Sequence, residues 1–132
     1  MIKFFTKYKI VFYLTNICFV FIYLFPGSIL GCIFLNNCKR QLQITPDLAM
    51  ISSNHFYTFL IISIIGFFTY PKKKHSKFLI IYLILTSILL EILHLLVPER
   101  SFQWSDLLGN LTAVILVIFI YNLINKYEAI KK

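Results

Sequence analysis

The sequence contains little charge, and very little of that charge is negative. Charged residues make up 14% of its 132 residues, and five Asp and Glu stand against thirteen Lys and Arg. It has no glycine-rich phosphate loop, no His-Glu-x-x-His metalloprotease motif and no Gly-x-Ser-x-Gly nucleophile motif. These absences exclude the nucleotide-binding and hydrolase classes that the motifs define.

Apolar residues are abundant instead. They make up 59% of the chain, against about 45–50% in soluble domains. Long apolar stretches separate the charged clusters, which is typical of an integral membrane protein. We expect one domain, an all-α polytopic bundle of four transmembrane helices, because lipid offers the backbone no hydrogen-bond partners. The predicted spans are about residues 10–30, 48–70, 77–97 and 106–123.

The positive charges are distributed unevenly around these spans. With four spans, ten of the thirteen basic residues fall on one side: Lys3, Lys7, Lys9, Lys72, Lys73, Lys74, Lys77, Lys126, Lys131 and Lys132. Lys39, Arg40 and Arg100 fall on the other side. The positive-inside rule then predicts a multi-pass protein with both termini in the cytoplasm. The net charge of +8 fits attraction to anionic membrane lipids, and we expect no nucleic-acid partner.

Polar residues of three predicted spans fall at one depth. Counted at 1.5 Å per residue from the flanking lysines, His55 and His94 lie about 25 Å above the cytoplasmic edge, Glu91 about 21 Å, Asn110 about 24 Å and Asp106 about 30 Å. Ionised groups in a bilayer need a partner or water. We therefore predict a polar pocket in the outer leaflet that opens to the outside.

Several of these residues also permit simpler interpretations. Glu91 and His94 share a helix face and could only hold helices together. Asp106 could be an ordinary N-terminal cap of the fourth span. We expect Arg100 to cover the pocket and neutralise one of its acids.

Five residues of this region follow a family pattern. Glu91, Pro98, Arg100, Asp106 and Asn110 match the order E-x-x-Q, P-x-R, D, N-x-x-G. This order resembles the VanZ-like family of small bacterial membrane proteins over about residues 48–120. The resemblance implies a place in the bacterial inner (cytoplasmic) membrane and a link with glycopeptide (teicoplanin) resistance at the cell envelope.

The match to the family is incomplete. His55 stands where the family has the histidine of D-K-x-x-H, but Ile51 and Ser52 replace its Asp-Lys. His94 replaces the usual Gln.

Three classes of function follow from the pocket. First, it could bind an envelope lipid or a lipid-linked saccharide, with Arg100 on the phosphate. Second, the protein could be structural or bind a partner. Third, it could be an enzyme, a role we rank last, with His94 as general base oriented by Glu91 and with Asp106 as a second carboxylate. Self-association is compatible with a chain of this size.

A metal is a further alternative for the same residues. Glu91 and His94 could ligate an ion if His55 and Asp106 completed the set. We expect no metal and no cofactor.

The cysteines permit two arrangements on the outer side. Cys32 and Cys38 could form a disulfide in an oxidising compartment. Alternatively, residues 28–32 read SILGC, like a lipoprotein cleavage site with Cys32 as the lipidated residue. Cys18 lies within the first apolar run, and we expect it to be buried.

Overall fold

The computed structural model describes residues 9–131, and all the regular structure in that range is helical. The elements are α1 (Lys9–Tyr23), α2 (Ile29–Leu35), α3 (Ser53–Thr69), α4 (Lys73–Leu93), a 3-10 turn (His94–Leu96) and α5 (Trp104–Ile130). The all-α prediction is therefore confirmed. Lys3, Lys7 and Lys132, which contributed to the predicted orientation, lie outside the described residues.

The four longer helices run alternately up and down. The Lys9 ammonium lies 5.6 Å from the centre of the Tyr70 ring, which joins the start of α1 to the end of α3. The Tyr121 hydroxyl donates to the Pro71 carbonyl oxygen at 3.1 Å. We call this end of the bundle, with Lys9, Lys72 and Lys126, the lysine end. The opposite end is the capped end, because residues 24–52 and 97–103 cover it.

Two helical segments are long and apolar enough to cross a membrane. They are Lys74–Leu96 and Trp104–Ile130. Lys9–Tyr23 and Ser53–Thr69 are apolar but shorter. These features indicate a membrane protein.

The helices pack around a core in which α5 is central. It packs most extensively against α3, and also against α4. Gly109 makes the α3–α5 contact close, since a Cβ atom there would lie 2.6 Å from the Ser52 carbonyl oxygen. Phe59 and Val114 are 0% exposed and Leu83 is 1% exposed. This packing brings one end of α3, α4 and α5 together.

The first two predicted spans were too long at the capped end. The first helix ends at Tyr23 rather than near residue 30, because Pro26 cannot continue it and Gly27 adopts a φ of 78°. The second begins at Ser53 rather than 48. There the Asp47 carboxylate accepts the Ser53 backbone N–H at 2.9 Å, and this bond lowers the pKa of Asp47.

The third and fourth predicted spans also differ from the observed helices in their bounds. α4 starts at Lys73, four residues before the predicted start, directly after the turn at Pro71. The last helix spans Trp104–Ile130 rather than 106–123, and its N-cap is Gln103. Asp106 is thus the third helical residue, and its interpretation as the N-terminal cap was wrong.

The capped end is held together by local bonds. Cys32 in α2 is disulfide-bonded to Cys38, with their Cα atoms 4.1 Å apart. The Asn54 amide bonds the Leu42 carbonyl oxygen at 2.6 Å and the Ile44 N–H at 3.0 Å, which fixes the segment that follows. Cys18 is exposed, contrary to our expectation, because it lies on the outward face of α1.

Candidate functional site

The structure gathers five of the six predicted site residues into one buried cluster. Glu91 and Asn110 are 0% exposed, His94 is 1%, His55 is 5% and Asp106 is 7%. They come from α3, α4, the 3-10 turn and α5. The cluster lies just beneath the capped end, where these helices converge.

A tyrosine from α1 occupies the middle of this cluster. The Tyr23 hydroxyl donates to Glu91 Oε2 at 3.0 Å. It also lies 2.8 Å from His55 Nδ1, and it accepts a hydrogen bond from Asn110 Nδ2 at 2.7 Å. One hydroxyl therefore links all four long helices.

His55 lies between this hydroxyl and an acid. Since Tyr23 gives its only hydrogen to Glu91, the contact with His55 requires a proton on Nδ1. His55 Nε2 lies 3.3 Å from Asp106 Oδ2. A neutral imidazole carries one N–H. The His55–Asp106 contact therefore needs a second imidazole proton, a proton on Asp106 or another cation.

Both ring nitrogens of His94 contact other groups of the protein. Its Nε2 donates to the Tyr23 carbonyl oxygen at 3.1 Å, and its Nδ1 lies 3.5 Å from Glu91 Oε1. Its ring stacks on the Tyr23 ring with 4.8 Å between centres. Glu91 Oε1 also accepts the Gln103 backbone N–H at 3.0 Å. Neither nitrogen of His94 is free to act as a general base on a substrate.

The sixth predicted residue, Arg100, stands apart from the cluster. Its Nε donates to the Phe25 carbonyl oxygen at 3.2 Å. Among residues 9–131 it has no ion pair within 4.0 Å, so the expected neutralisation of an acid is not observed. Burial lowers the pKa of its guanidinium group, while the charges of Asp106 and Glu91 act in the opposite direction. Arg100 is thus a half-buried cation that pairs with no carboxylate of the described residues.

A polar cavity of about 100 Å³ separates Arg100 from the cluster. It is lined by Gly27, Ser28, Lys39, Gln41, His94, Glu99, Arg100, Ser101, Gln103 and Asp106. Lys39 Nζ and Glu99 Oε1 are 3.5 Å apart at its rim. Glu99 has a φ of 62°, a conformation that costs a non-glycine residue energy and often occurs at functional sites.

Tyr23 is the residue that the sequence interpretation missed. It was counted as part of an apolar span, although its phenol has a hydrogen-bonding group. Counted from Lys9 at 1.5 Å per residue, it lies about 21 Å up, the depth predicted for Glu91. Applying the depth count to the first span would have identified it.

The arrangement has two chemical capabilities. The cluster can hold protons or a cation between buried carboxylates and imidazoles. Arg100 can hold an anion at the cavity above it. Comparison with protein-family models, curated proteins and solved structures finds no match to this chain.

Proposed function

We propose that this chain is a bacterial membrane protein with four transmembrane helices, α1, α3, α4 and α5. The capped end faces outward, and both ends of the chain lie in the cytoplasm. The lysine end supports this orientation, because cytoplasmic loops carry an excess of Lys and Arg. Exposed apolar side chains on each of the four helices support the spans, for example Ile17 (66% exposed), Ile61 (58%), Phe78 (75%) and Phe119 (59%).

The length of α3 supports a position of the cavity at the membrane surface. α3 has 17 residues, which correspond to a length of about 26 Å. It is shorter than the ~30 Å hydrocarbon core. Bilayers thin around short helices. The capped end then lies at the depth of the outer lipid headgroups.

Arg100 is the observation that carries a proposal for the ligand. Its guanidinium is half-buried, lines the cavity and is not paired with a carboxylate within the described range. Guanidinium groups bind phosphate oxygens strongly through paired N–H donors. The proposed ligand is therefore the phosphate of an envelope lipid, bound by Arg100, with the Lys39–Glu99 ion pair at the rim of the cavity.

The size of the cavity limits what it encloses. Its volume is about 100 Å³, which is small for a ligand pocket. A headgroup phosphate is a ligand of suitable size for it. The VanZ-like resemblance, with its link to glycopeptide (teicoplanin) resistance, favours a lipid-linked envelope precursor as the natural ligand.

A structural role is the second candidate. It is favoured because the side chains of the cluster contact one another across the helices. Tyr23, His55, Glu91, His94 and Asn110 each contact a residue of another helix. Such contacts hold transmembrane helices together. In that case Arg100 would serve only to bond the Phe25 carbonyl oxygen. An enzymatic role is less well supported, because both nitrogens of His94 are occupied.

Native mass spectrometry of the protein released gently from membranes tests the proposed ligand. We expect wild-type protein to retain a polyprenyl-phosphate or other anionic lipid mass that Arg100→Ala loses. Arg40→Ala is the matched control, since Arg40 is an exposed arginine at the same end of the bundle. It should retain the lipid.

Equal lipid occupancy in Arg100→Ala and wild type would refute the assigned role of Arg100. Bare protein in all three samples would favour the structural role. Circular dichroism of each variant shows that a lost lipid is not the result of unfolding.

A further inference from the structure

Two carboxylates are buried together without a lysine or arginine partner. Glu91 is 0% exposed and Asp106 is 7% exposed. No Lys or Arg of the described chain lies within 4.0 Å of either one; their charged contacts are to histidines. Buried anions need compensating charge. The cluster therefore needs extra protons on its imidazoles or carboxyl groups, or a bound cation.

We infer that His55, Glu91 and Asp106 form a binding site for a divalent transition-metal ion. Each offers one donor atom, and these atoms all lie within 4.8 Å of one another. The three residues come from α3, α4 and α5, so an ion would join three helices. A divalent ion would balance the two carboxylate charges.

The His55–Asp106 contact has the separation that two metal ligands need. Ligands about 2.0–2.1 Å from a tetrahedral ion are about 3.3 Å from each other. His55 Nε2 and Asp106 Oδ2 are 3.3 Å apart. Glu91 is the donor that must move closer, through rotation of its side chain.

Tyr23 prepares His55 for this role. A metal-binding histidine usually donates its other N–H to a neighbouring group, which fixes the ring. His55 Nδ1 lies 2.8 Å from the Tyr23 hydroxyl. The Nε2 lone pair is thereby left directed at Asp106, where the ion would lie.

A buried amide oxygen of this cluster is a second observation that fits a bound ion or water. Asn110 Oδ1 is buried and has no hydrogen-bond partner within the described range. The nitrogen of the same amide bonds the Tyr23 hydroxyl at 2.7 Å. A buried oxygen of this kind commonly faces a water or an ion. An ion or a water bound to it would satisfy Asn110.

The donor set defines the class of metal. One imidazole with two carboxylates, and no thiolate, suits Zn²⁺, Mn²⁺ or Fe²⁺ and disfavours Cu⁺. Asp106 and His94 line the polar cavity, which offers the ion a route from the capped end. The site is independent of the proposed lipid, since it needs neither Arg100 nor a phosphate.

Elemental analysis of the full chain tests the site. The protein would be purified through a tag without histidine, in detergent and without chelator. We expect about one zinc, manganese or iron ion per chain. His55→Ala and Asp106→Asn should lower this content about tenfold or more. His75→Ala, an exposed histidine at the lysine end, should leave it unchanged.

A second measurement uses the wild-type protein, so it tests the site even if the variants fold poorly. Wild-type protein stripped with a chelator would be titrated with Zn²⁺ and Mn²⁺ while its unfolding temperature is recorded. Binding to the folded state alone raises that temperature. We expect a rise in wild type and in His75→Ala and none in His55→Ala. Metal-free wild type with no response to either ion, or an equal response in His55→Ala, would overturn the inference.

Discussion

Replacing Tyr23 by phenylalanine removes one oxygen atom from the centre of the cluster. The ring contacts remain, because Phe keeps the packing against Phe19 and the stack on His94. The variant therefore isolates the hydroxyl and its bonds to His55, Glu91 and Asn110.

The expected loss of stability depends on which hydrogen bonds the partners of the hydroxyl keep in the variant. Asn110 Nδ2 keeps the Ser87 carbonyl oxygen at 3.2 Å, whereas His55 Nδ1 and Glu91 Oε2 lose a hydrogen-bond partner. An unsatisfied buried group costs about 1–3 kcal/mol, and interhelical bonds in membranes average about 0.6 kcal/mol. Three interhelical bonds at about 0.6 kcal/mol each give about 2 kcal/mol. Two unsatisfied groups at about 2 kcal/mol each give about 4 kcal/mol. We expect the free energy of unfolding to fall by about 3 kcal/mol.

Reversible unfolding in mixed detergent micelles, followed by circular dichroism, would measure this loss. Tyr127→Phe is the matched control, since Tyr127 is 65% exposed near the lysine end. It should change the free energy of unfolding by no more than about 0.5 kcal/mol. A similarly small change for Tyr23→Phe would show that the hydroxyl does not hold the four helices together.

Two further predictions concern the packing and the covalent link of the capped end. Gly109→Ala should destabilise by about 1–3 kcal/mol, because its Cβ would meet the Ser52 backbone oxygen, which cannot move aside easily. Gly66→Ala should cost less in the same unfolding assay, since its Cβ would meet the flexible end of Leu79 at 3.1 Å; an equal or larger loss would contradict this packing argument. Cys32→Ser should cost about 2 kcal/mol, because the closed loop is short. In the denatured but unreduced protein, alkylation should label only Cys18, and labelling at all three cysteines would show that the disulfide is absent.

The sequence predicted the cluster better than it predicted its surroundings. Depth along an apolar helix is nearly fixed by the number of residues from a charged end, so His55, Glu91, His94, Asp106 and Asn110 could be assigned to one layer. The helix boundaries were less accurate because side chains outside the helices determine them. Asp47 is one example, since it caps α3 from six residues before Ser53.

The contacts of Arg100 show that residue spacing alone does not determine the direction of a side chain. Its position beside two acids favoured an ion pair, but the loop after the 3-10 turn directs its Nε to the Phe25 carbonyl oxygen. That direction depends on the φ of 62° at Glu99 and on where α1 ends, at Tyr23. The conformation of Glu99 has no strong sequence signal, because glutamate seldom adopts a positive φ.

The distribution of the cluster over four helices has a consequence for biosynthesis. In the proposed membrane arrangement, Glu91 and His94 leave the ribosome before Asp106 and Asn110, so α4 would enter the membrane while part of the cluster is still missing. Until α5 is synthesised, Glu91 can bond Tyr23 but lacks the Gln103 N–H, and the Asp106 partner of His55 does not yet exist. The nascent helices would therefore stay near the translocon, where water and protein groups can solvate these side chains, and would assemble only when the last helix arrives.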